Sequence, residues 1–426
     1  MEYTYFKDNL KVLGHLFKHY REEKGYSIRG VSRSINVAHS MISDIENMKV
    51  TPNLETLKEL YETISIPFCT DEAFLATMFQ TMESMVMALY YFDTKKAKDS
   101  YNILLSHEKD LKHSVLHVEH TLAINAYRLM VDFKDIHAAL EHLNQLTDYF
   151  TNVQYQLFNL LKAVYHFQKC DYDITIDILE KNRNYGFDEK IHTYGLYYLA
   201  SAYERVFRSH EAMRIASEAS QFLIQHHNTN RKIYLDQVKL KSAIDLGNFK
   251  AAENILKSLE NLMYLDDQES RLKSVLVLLK AYLAYQKKQY YKIQDILGEL
   301  KNDSPVQTLL KAATAYCLND LKMTRMWLKK TTEFSKVYPK SQFIAVAYLF
   351  LDYIGEDVSK QKLDASLKDA IKSPYTYPSI HLSYLVYDLI MAYYKKKGNY
   401  QKACEIADRW FDISKKRDKY VTLADI

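Results

Sequence analysis

The sequence predicts an all-α protein, and three observations support this prediction. Gly and Pro number 9 and 6 of 426 residues, about 3.5% against an average near 12%, and the turns of β-sandwiches and barrels need both residue types. Hydrophobic residues make up 48% and charged residues 26%, as in a globular chain with a sizeable core. Apolar residues recur at three- and four-residue spacing along the chain, which indicates amphipathic helices.

Charge and cysteine content exclude several classes of protein. The chain has 57 Lys and Arg against 53 Asp and Glu, so its net charge neither requires nor excludes a nucleic acid partner. Its four cysteines form no CxxC pair, which argues against a zinc ribbon and a disulfide framework. No apolar run approaches the roughly 20 residues that span a bilayer, and MEYTYFKDNLK does not resemble a signal peptide. We therefore expect a cytoplasmic protein with no membrane partner and no cofactor.

The first 66 residues are predicted to form one domain of four short helices. Gly25 is suited to end the first helix, Ser27 to cap the second, and Pro67 to close the unit. Short helices separated by a tight turn are typical of a helix-turn-helix, in which the second helix of the motif enters the major groove of DNA. The predicted helices are Leu10–Tyr20, Ile28–Ser34, His39–Asn47 and one that opens at Pro52–Leu54.

The string LGHLFKHYREEKGYSIRGVSRSINVAHSMISDIENMKVTPNLETLKEL resembles the Cro/repressor-type helix-turn-helix of bacterial regulators. The resemblance implies that His39, Ser40, Ser43 and Asp44 lie on the recognition helix, with His39 and Ser40 at base edges. Arg29, Arg33 and Lys49 are expected to reach phosphates. Members usually carry Gln where this chain has Ile28, so we expect that contact to shift to Arg29. Nine basic and nine acidic residues in 1–66 leave open the alternative that these polar residues are merely solvated and the domain binds a protein.

The remainder of the chain repeats. Segments such as SAYERVFRSHEAMRIA and MAYYKKKGNYQKACEIA contain a helix with Ala-Tyr, a short polar turn and a second helix. Seven units average about 38 residues, and an earlier divergent unit precedes them, so we expect eight or nine helix pairs. The turns between the two helices are marked by Phe133, Tyr172, His210, Phe249, Tyr290, Leu321 and Tyr400, with one degenerate unit near 356–362.

These units resemble tetratricopeptide repeats, which implies a right-handed superhelix with a concave inner face lined by the first helix of each pair. An unrelated helical bundle is the alternative. We expect a helix-turn-helix domain at residues 1–66, a linker at 67–75 and the repeats at 76–426.

We expect no enzymatic activity. The sequence has no Gly-rich phosphate loop, no HExxH and no GxSxG motif. His113, His117 and His120 share the spacing of a helical face, and we interpret them as a polar helix face rather than as metal ligands.

The combined architecture resembles the peptide-pheromone-responsive regulators called the RRNPP group, with length and repeat number most similar to NprR-like and phage arbitrium-receptor members. The resemblance implies a homodimeric transcription regulator that binds an inverted-repeat operator in double-stranded DNA and responds to a short signalling peptide. Two alternatives remain: a Rap-like scaffold that sequesters a response regulator, and a phage or plasmid repressor that uses its repeats only for assembly.

The register of the repeats predicts which residues line the peptide groove. Tyr127, Tyr165 and Tyr203 are assigned to the Ala-Tyr position of successive units. Related peptide-binding arrays use groove asparagines, which carry both a donor and an acceptor for a peptide bond; merely solvated groove residues are the alternative. The predicted peptide-binding residues are Asn125, Arg128, Gln156, Asn159, Tyr194, Tyr197, Arg205, Gln237 and Lys241.

Overall fold

The computed structural model describes residues 7–183, 187–263, 269–300, 303–338, 341–371 and 380–408, and every regular element in these ranges is helical. It divides into two compact units, Met1–Leu199 with Gln221–Arg231, and Ala200–Ser220 with Lys232–Ile426. No helix in the described ranges has the length and apolar character needed to cross a bilayer.

The first four helices form a small domain within the first unit: α1 Lys7–Glu23, α2 Ile28–Ile35, α3 His39–Glu46 and α4 Leu54–Thr63. The predicted cap of α2 is present, because Ser27 Oγ accepts the Gly30 N–H at 3.0 Å. The structure shows a similar cap on α4, where Asn53 Oδ1 accepts the Thr56 N–H at 2.7 Å. Gly25, just beyond α1, has a φ of 75°, in the left-handed region that favours glycine. Buried apolar side chains from all four helices form the core, namely Val12, Leu13, Leu16, Phe17, Val31, Ile42, Ile45, Leu57 and Leu60.

Helix pairs follow, each with a long first helix. In the first unit the pairs begin with α5 at Glu72, which lies inside the predicted linker at 67–75. The helices are α5 Glu72–Tyr90, α6 Thr94–Ser106, α7 Glu108–Lys112, α8 His117–Met130, α9 His137–Asn144, α10 Asn152–Gln168, α11 Tyr172–Asn182 and α12 Glu189–Arg205, the last of which ends in the second unit. α5 packs on both α6 and α8, and α8 in turn packs on α10.

The pairing continues to residue 408. Counted with a last helix at 400–408, the described ranges hold nine pairs, in agreement with the expected eight or nine. The helices are α13 Ser209–Gln225, α14 Thr229–Asp245, α15 Phe249–Met263, α16 Glu269–Gln286, α17 Ile293–Gly298, α18 Pro305–Cys317, α19 Leu321–Glu333, α20 Gln342–Tyr353, α21 Lys360–Ile371 and α22 Ile380–Lys396.

Most of the predicted turn markers coincide with the start of a second helix. Tyr172, Phe249 and Leu321 are the first residues of α11, α15 and α19. Phe133 is an exception, since α9 begins four residues later at His137. The unit predicted to be degenerate also contains a second helix, since α21 begins at Lys360. This helix packs against α20.

Candidate nucleic-acid interface and ligand cavities

The start of α3 is the exposed part of the helix-turn-helix. His39 and Ser40 are both exposed, whereas Ile42 and Ile45 on the opposite face are buried. Ala38 precedes α3 and has no side chain that could cap it, so the first-turn N–H groups face outward beside His39. Helix N-termini of this kind bind phosphate oxygens.

The other predicted DNA-contacting residues surround this helix start. Arg29 and Arg33 on α2 are exposed and have no acidic partner among the described residues. Lys49 Nζ lies 3.7 Å from Asp44 Oδ1 in an exposed ion pair, which contributes at most about 1 kcal/mol and can open toward a phosphate. Ser43 is half-buried, and its carbonyl accepts the side chain of Asn47 at 2.8 Å.

Met41 is a surface residue that the sequence analysis did not single out. Its side chain is 44% exposed on α3, next to Ser40. An exposed apolar side chain on a recognition helix suits contact with the methyl group of thymine. The signal was available in the sequence, because Met41 immediately precedes the core residue Ile42.

A buried ion pair holds α3 against α1. Arg21 Nη2 donates to Glu46 Oε2 at 2.9 Å, and its Nη1 donates to the Tyr26 carbonyl at 2.7 Å. The side chains of Arg21 and Glu46 are 7% and 2% exposed. The hydrogen bonds to Glu46 raise the pKa of Arg21, so the guanidinium stays charged. This pair therefore fixes the end of α3 relative to α1 and so sets the position of the DNA-facing side chains.

The first unit contains an open groove cavity of about 630 Å³ between α5, α8, α10 and the start of α12. Its floor is apolar, with Met82 and Met87 from α5 and Leu157 from α10. Acidic side chains lie around it and outnumber the basic ones. The acidic residues are Glu83, Glu119, Asp188 and Glu189, and the basic ones are Lys190 and His226.

Glu119 connects this groove cavity to the helix-turn-helix domain. Asn9 Nδ2 on α1 donates to both carboxylate oxygens of Glu119, at 3.0 and 2.9 Å, and also to the Val115 carbonyl at 2.8 Å. Gln154 Nε2 donates to Glu119 Oε1 at 2.7 Å. Burial raises the pKa of Glu119, although these hydrogen bonds oppose the shift. One half-buried carboxylate is thus shared by α1, α8 and α10.

The predicted peptide-binding residues in the first unit do not line the groove cavity. Asn125 is buried, and its Nδ2 donates to the Thr121 carbonyl at 2.7 Å in its own helix. Gln156 is fully buried and bonds to the backbone of Asp188 in both directions, at 3.0 and 2.9 Å. Asn159 donates to Asn182 at 3.4 Å. Arg128 Nε lies 3.4 Å from the Tyr101 hydroxyl.

Tyr194 and Tyr197 surround a buried arginine that the sequence analysis did not identify. The guanidinium of Arg231 lies 3.7 Å from the ring centre of Tyr194 and 4.9 Å from that of Tyr197. Arg231 is fully buried, and it donates to the carbonyls of Leu89 and Tyr90, both at 2.9 Å. Arg231 lies in the polar stretch HNTNRK, and nothing in that local pattern indicates burial.

Two of the three predicted peptide-binding residues of the second unit lie beside a buried carboxylate, that of Glu204. Lys241 Nζ forms an ion pair with Glu204, and Arg205 Nε lies 3.7 Å from the same carboxylate. Gln237 Nε2 is buried and has no hydrogen-bond partner among the described residues. Lys241 is therefore already neutralised, while the amide of Gln237 still has a donor to offer.

The interpretation of the three histidines as a polar helix face is wrong. His117 and His120 are only 4% and 5% exposed, because α1 packs over α8. His113 is half-buried and its ring packs edge-on against Tyr20 of α1, with ring centres 5.1 Å apart. Within the described ranges, no cluster of three or more His, Cys, Asp or Glu side chains could hold a metal ion.

Comparisons with known proteins agree with a helix-turn-helix domain followed by helix pairs. A helix-turn-helix family model, HTH_3, matches residues 17–68. No curated protein matches the sequence. The chain is similar to the apo form of the quorum sensor NprR from B. thuringiensis, with 16% identity, 79% of this chain and 98% of that chain covered, and a TM-score of 0.57.

Two further solved structures share the fold. NprR in complex with its cognate peptide NprX has 17% identity, covers 79% of this chain and 99% of its own, and gives a TM-score of 0.59. A Rap protein complexed with Competence and Sporulation Factor has 13% identity, covers 81% of this chain and 99% of its own, and gives a TM-score of 0.62. The predicted all-α fold, a helix-turn-helix followed by tetratricopeptide-type helix pairs, is thereby confirmed.

Proposed function

We propose that this chain, an RRNPP-type protein in its helix-turn-helix domain and its fold, is a sequence-specific DNA-binding transcription regulator controlled by a short signalling peptide. The observation that carries the DNA-binding part is the exposed first turn of α3, with His39 and Ser40 facing outward and the opposite face anchored by Ile42 and Ile45. A binding regulator of this kind needs no catalytic machinery, which agrees with the expected lack of enzymatic activity.

The groove cavity is the site that we propose for the peptide. Its volume of about 630 Å³ suits a few side chains, and Met82 and Met87 are adaptable surfaces for apolar ones. The excess of acidic residues around it favours a peptide that carries positive charge. Because Glu119 belongs to the cavity lining and also binds Asn9 of α1, a peptide cation that attracts this carboxylate would weaken the contact that holds α1.

DNA binding is tested by fluorescence anisotropy with a labelled fragment from upstream of the chain's own gene. At physiological salt we expect specific binding at least about a thousandfold tighter than binding to random DNA. Equal affinity for both would contradict a sequence-specific regulator. A protein that binds no DNA and retains a response regulator on a column would instead favour the Rap-like scaffold.

Peptide binding is tested by calorimetry with synthetic peptides from small reading frames next to the gene. If the groove cavity is the site, Val153→Trp, at an exposed position of its lining, should abolish binding by filling the space. If the register deduced from the repeats is correct, Asn125→Ala and Asn159→Ala should each weaken binding by about 1–3 kcal/mol. Loss of binding in Val153→Trp alone would place the peptide in the groove cavity, and loss in the asparagine variants alone would place it on the surface deduced from the repeats. Operator binding by the peptide-free protein should survive all three substitutions.

A further inference from the structure

A second cavity lies where α1 of the helix-turn-helix domain packs against α7, α8 and α9. Its volume is about 460 Å³, and we call it the histidine cavity because four histidines line it. His19 comes from α1, His117 and His120 from α8, and His142 from α9. All of these residues belong to the first unit, and none of them lines the groove cavity.

Two ring nitrogens among these lining residues lack a hydrogen-bond partner. His117 Nδ1 lies 2.8 Å from the Lys112 carbonyl, so this nitrogen carries the proton and Nε2 is left as an acceptor in the neutral ring. Nε2 of His117 and Nε2 of His120 are both buried and unpartnered among the described residues. A buried polar atom without a partner is costly, and such an atom beside a cavity points to a ligand.

The permanent charge at this cavity is positive. Lys112 and Arg128 line it, and Glu108, which is exposed, is the one acidic residue in the described lining. Burial is the main cause that lowers the pKa of His117 and of His120 to about 4, and the nearby cations contribute to the same shift. Burial also lowers the pKa of His142. The rings are therefore neutral without a ligand, and a negative charge among them would favour their protonated forms.

We propose that the histidine cavity is a binding site for a small oxyanion, with phosphate, sulfate or carboxylate groups, and that the anion binds together with a proton. Lys112 and Arg128 supply the fixed positive charge. Protonation converts an unpartnered Nε2 from an acceptor into a charged donor toward the anion. The titratable and charged groups around His117 and His120 are His15, His19 and Tyr20 on α1, Glu108 and Lys112 on α7, Arg128 on α8 and His142 on α9.

Calorimetry on the full chain with sodium sulfate tests this site. Sulfate keeps its charge between pH 5 and 8, so any pH dependence of its affinity belongs to the protein. With uptake of one proton, the dissociation constant should fall about tenfold for each unit of pH lowered, between the pKa of the free rings and their raised pKa in the complex. Titrations with inorganic phosphate and with citrate at pH 6.5 then show whether phosphate or carboxylate groups are preferred.

Variants separate this site from general attraction of anions. Lys112→Gln, at an exposed position, should weaken sulfate binding about tenfold, and the double variant His117→Gln with His120→Gln should remove its pH dependence. His137→Gln is the control, because His137 lies on α9 with a side chain 63% exposed and does not line the cavity. Affinity that does not change with pH, or that is the same in Lys112→Gln as in the native chain, overturns the proposal. Lys112→Gln keeps the test decisive if the double variant fails to fold.

Discussion

Gly14 shows how one residue sets the distance between the first helix and the recognition helix. A Cβ built on Gly14 would lie 2.7 Å from Ile45 Cγ2 and 3.1 Å from the Ile45 carbonyl oxygen. Real Cβ atoms essentially never make a contact as short as 2.7 Å, and the carbonyl oxygen belongs to a backbone that cannot rotate away. Close packing of α1 on α3 therefore requires glycine at this position.

Gly14→Ala should destabilise the protein by about 1–3 kcal/mol, because the added methyl group overpacks the contact with α3. Denaturant unfolding monitored by circular dichroism measures the change. Gly298→Ala is the matched control, since a Cβ there meets nothing within 4 Å and alanine is the better helix former. Equal effects of the two substitutions would contradict this account of Gly14.

The exposed residues of the helix-turn-helix should divide into those that read bases and those that hold phosphates. His39→Ala should cost about 1–3 kcal/mol on the best operator and less on random DNA. Arg33→Ala should weaken binding to all sequences and reduce the salt dependence of the affinity, since it removes a phosphate contact. Anisotropy titrations at several salt concentrations test both. A loss from His39→Ala that is equal on operator and random DNA would show that α3 does not read bases.

At the scale of elements, α8 is a helix through which the helix-turn-helix domain contacts the repeats in the first unit. Its Glu119 is held by Asn9 on α1 and by Gln154 on α10, while its His117 and His120 lie under α1. The helix-turn-helix domain is thus packed against the repeats through buried polar contacts. Such contacts are sensitive to protonation, because burial penalises the charged form of each group.

Acidification should therefore destabilise the protein through these histidines. The pKa of His117 is about 4 in the folded protein and 6.5 as its ordinary value, so between these pH values the unfolded chain binds more protons. The contribution of neutral His117 to the free energy of unfolding is fully present above pH 6.5. It is lost as the pH falls toward 4, and the loss amounts to about 3 kcal/mol. Urea unfolding at pH 7 and pH 4.5 should show a smaller loss for His117→Gln than for the native chain. His137→Gln, at an exposed site, is the control and should lose as much stability between pH 7 and pH 4.5 as the native chain. If His117→Gln also loses as much stability as the native chain, the prediction is contradicted.

At the scale of the whole molecule, one helix-turn-helix domain covers too few base pairs for useful specificity. We expect a two-fold symmetric dimer that binds an inverted repeat, with the geometry of assembly controlling the spacing of the half-sites. Light scattering of the complex, together with operators of varied half-site spacing, tests this expectation. A monomer that binds its operator tightly, or an affinity that does not depend on spacing, would contradict it.

The sequence by itself determined the features that depend on neighbouring residues. Ser27 caps the helix it was predicted to cap, and Ile42 and Ile45 lie in the core as their spacing requires, because a cap or an amphipathic face is defined within a few residues. The turn markers of the repeats likewise predicted the starts of α11, α15 and α19.

Tertiary structure decided which polar residues are buried and what they contact. Asn9 and Glu119 are 110 residues apart, and no local pattern indicates that they meet. The spacing of His117 and His120 indicates a shared helical face, but whether that face meets water or another helix depends on where α1 packs. In the same way, the repeat register predicts that Tyr194 lines the peptide groove, whereas its ring contacts Arg231, a residue of another helix. Periodicity identifies a face, and long-range packing alone determines what covers it.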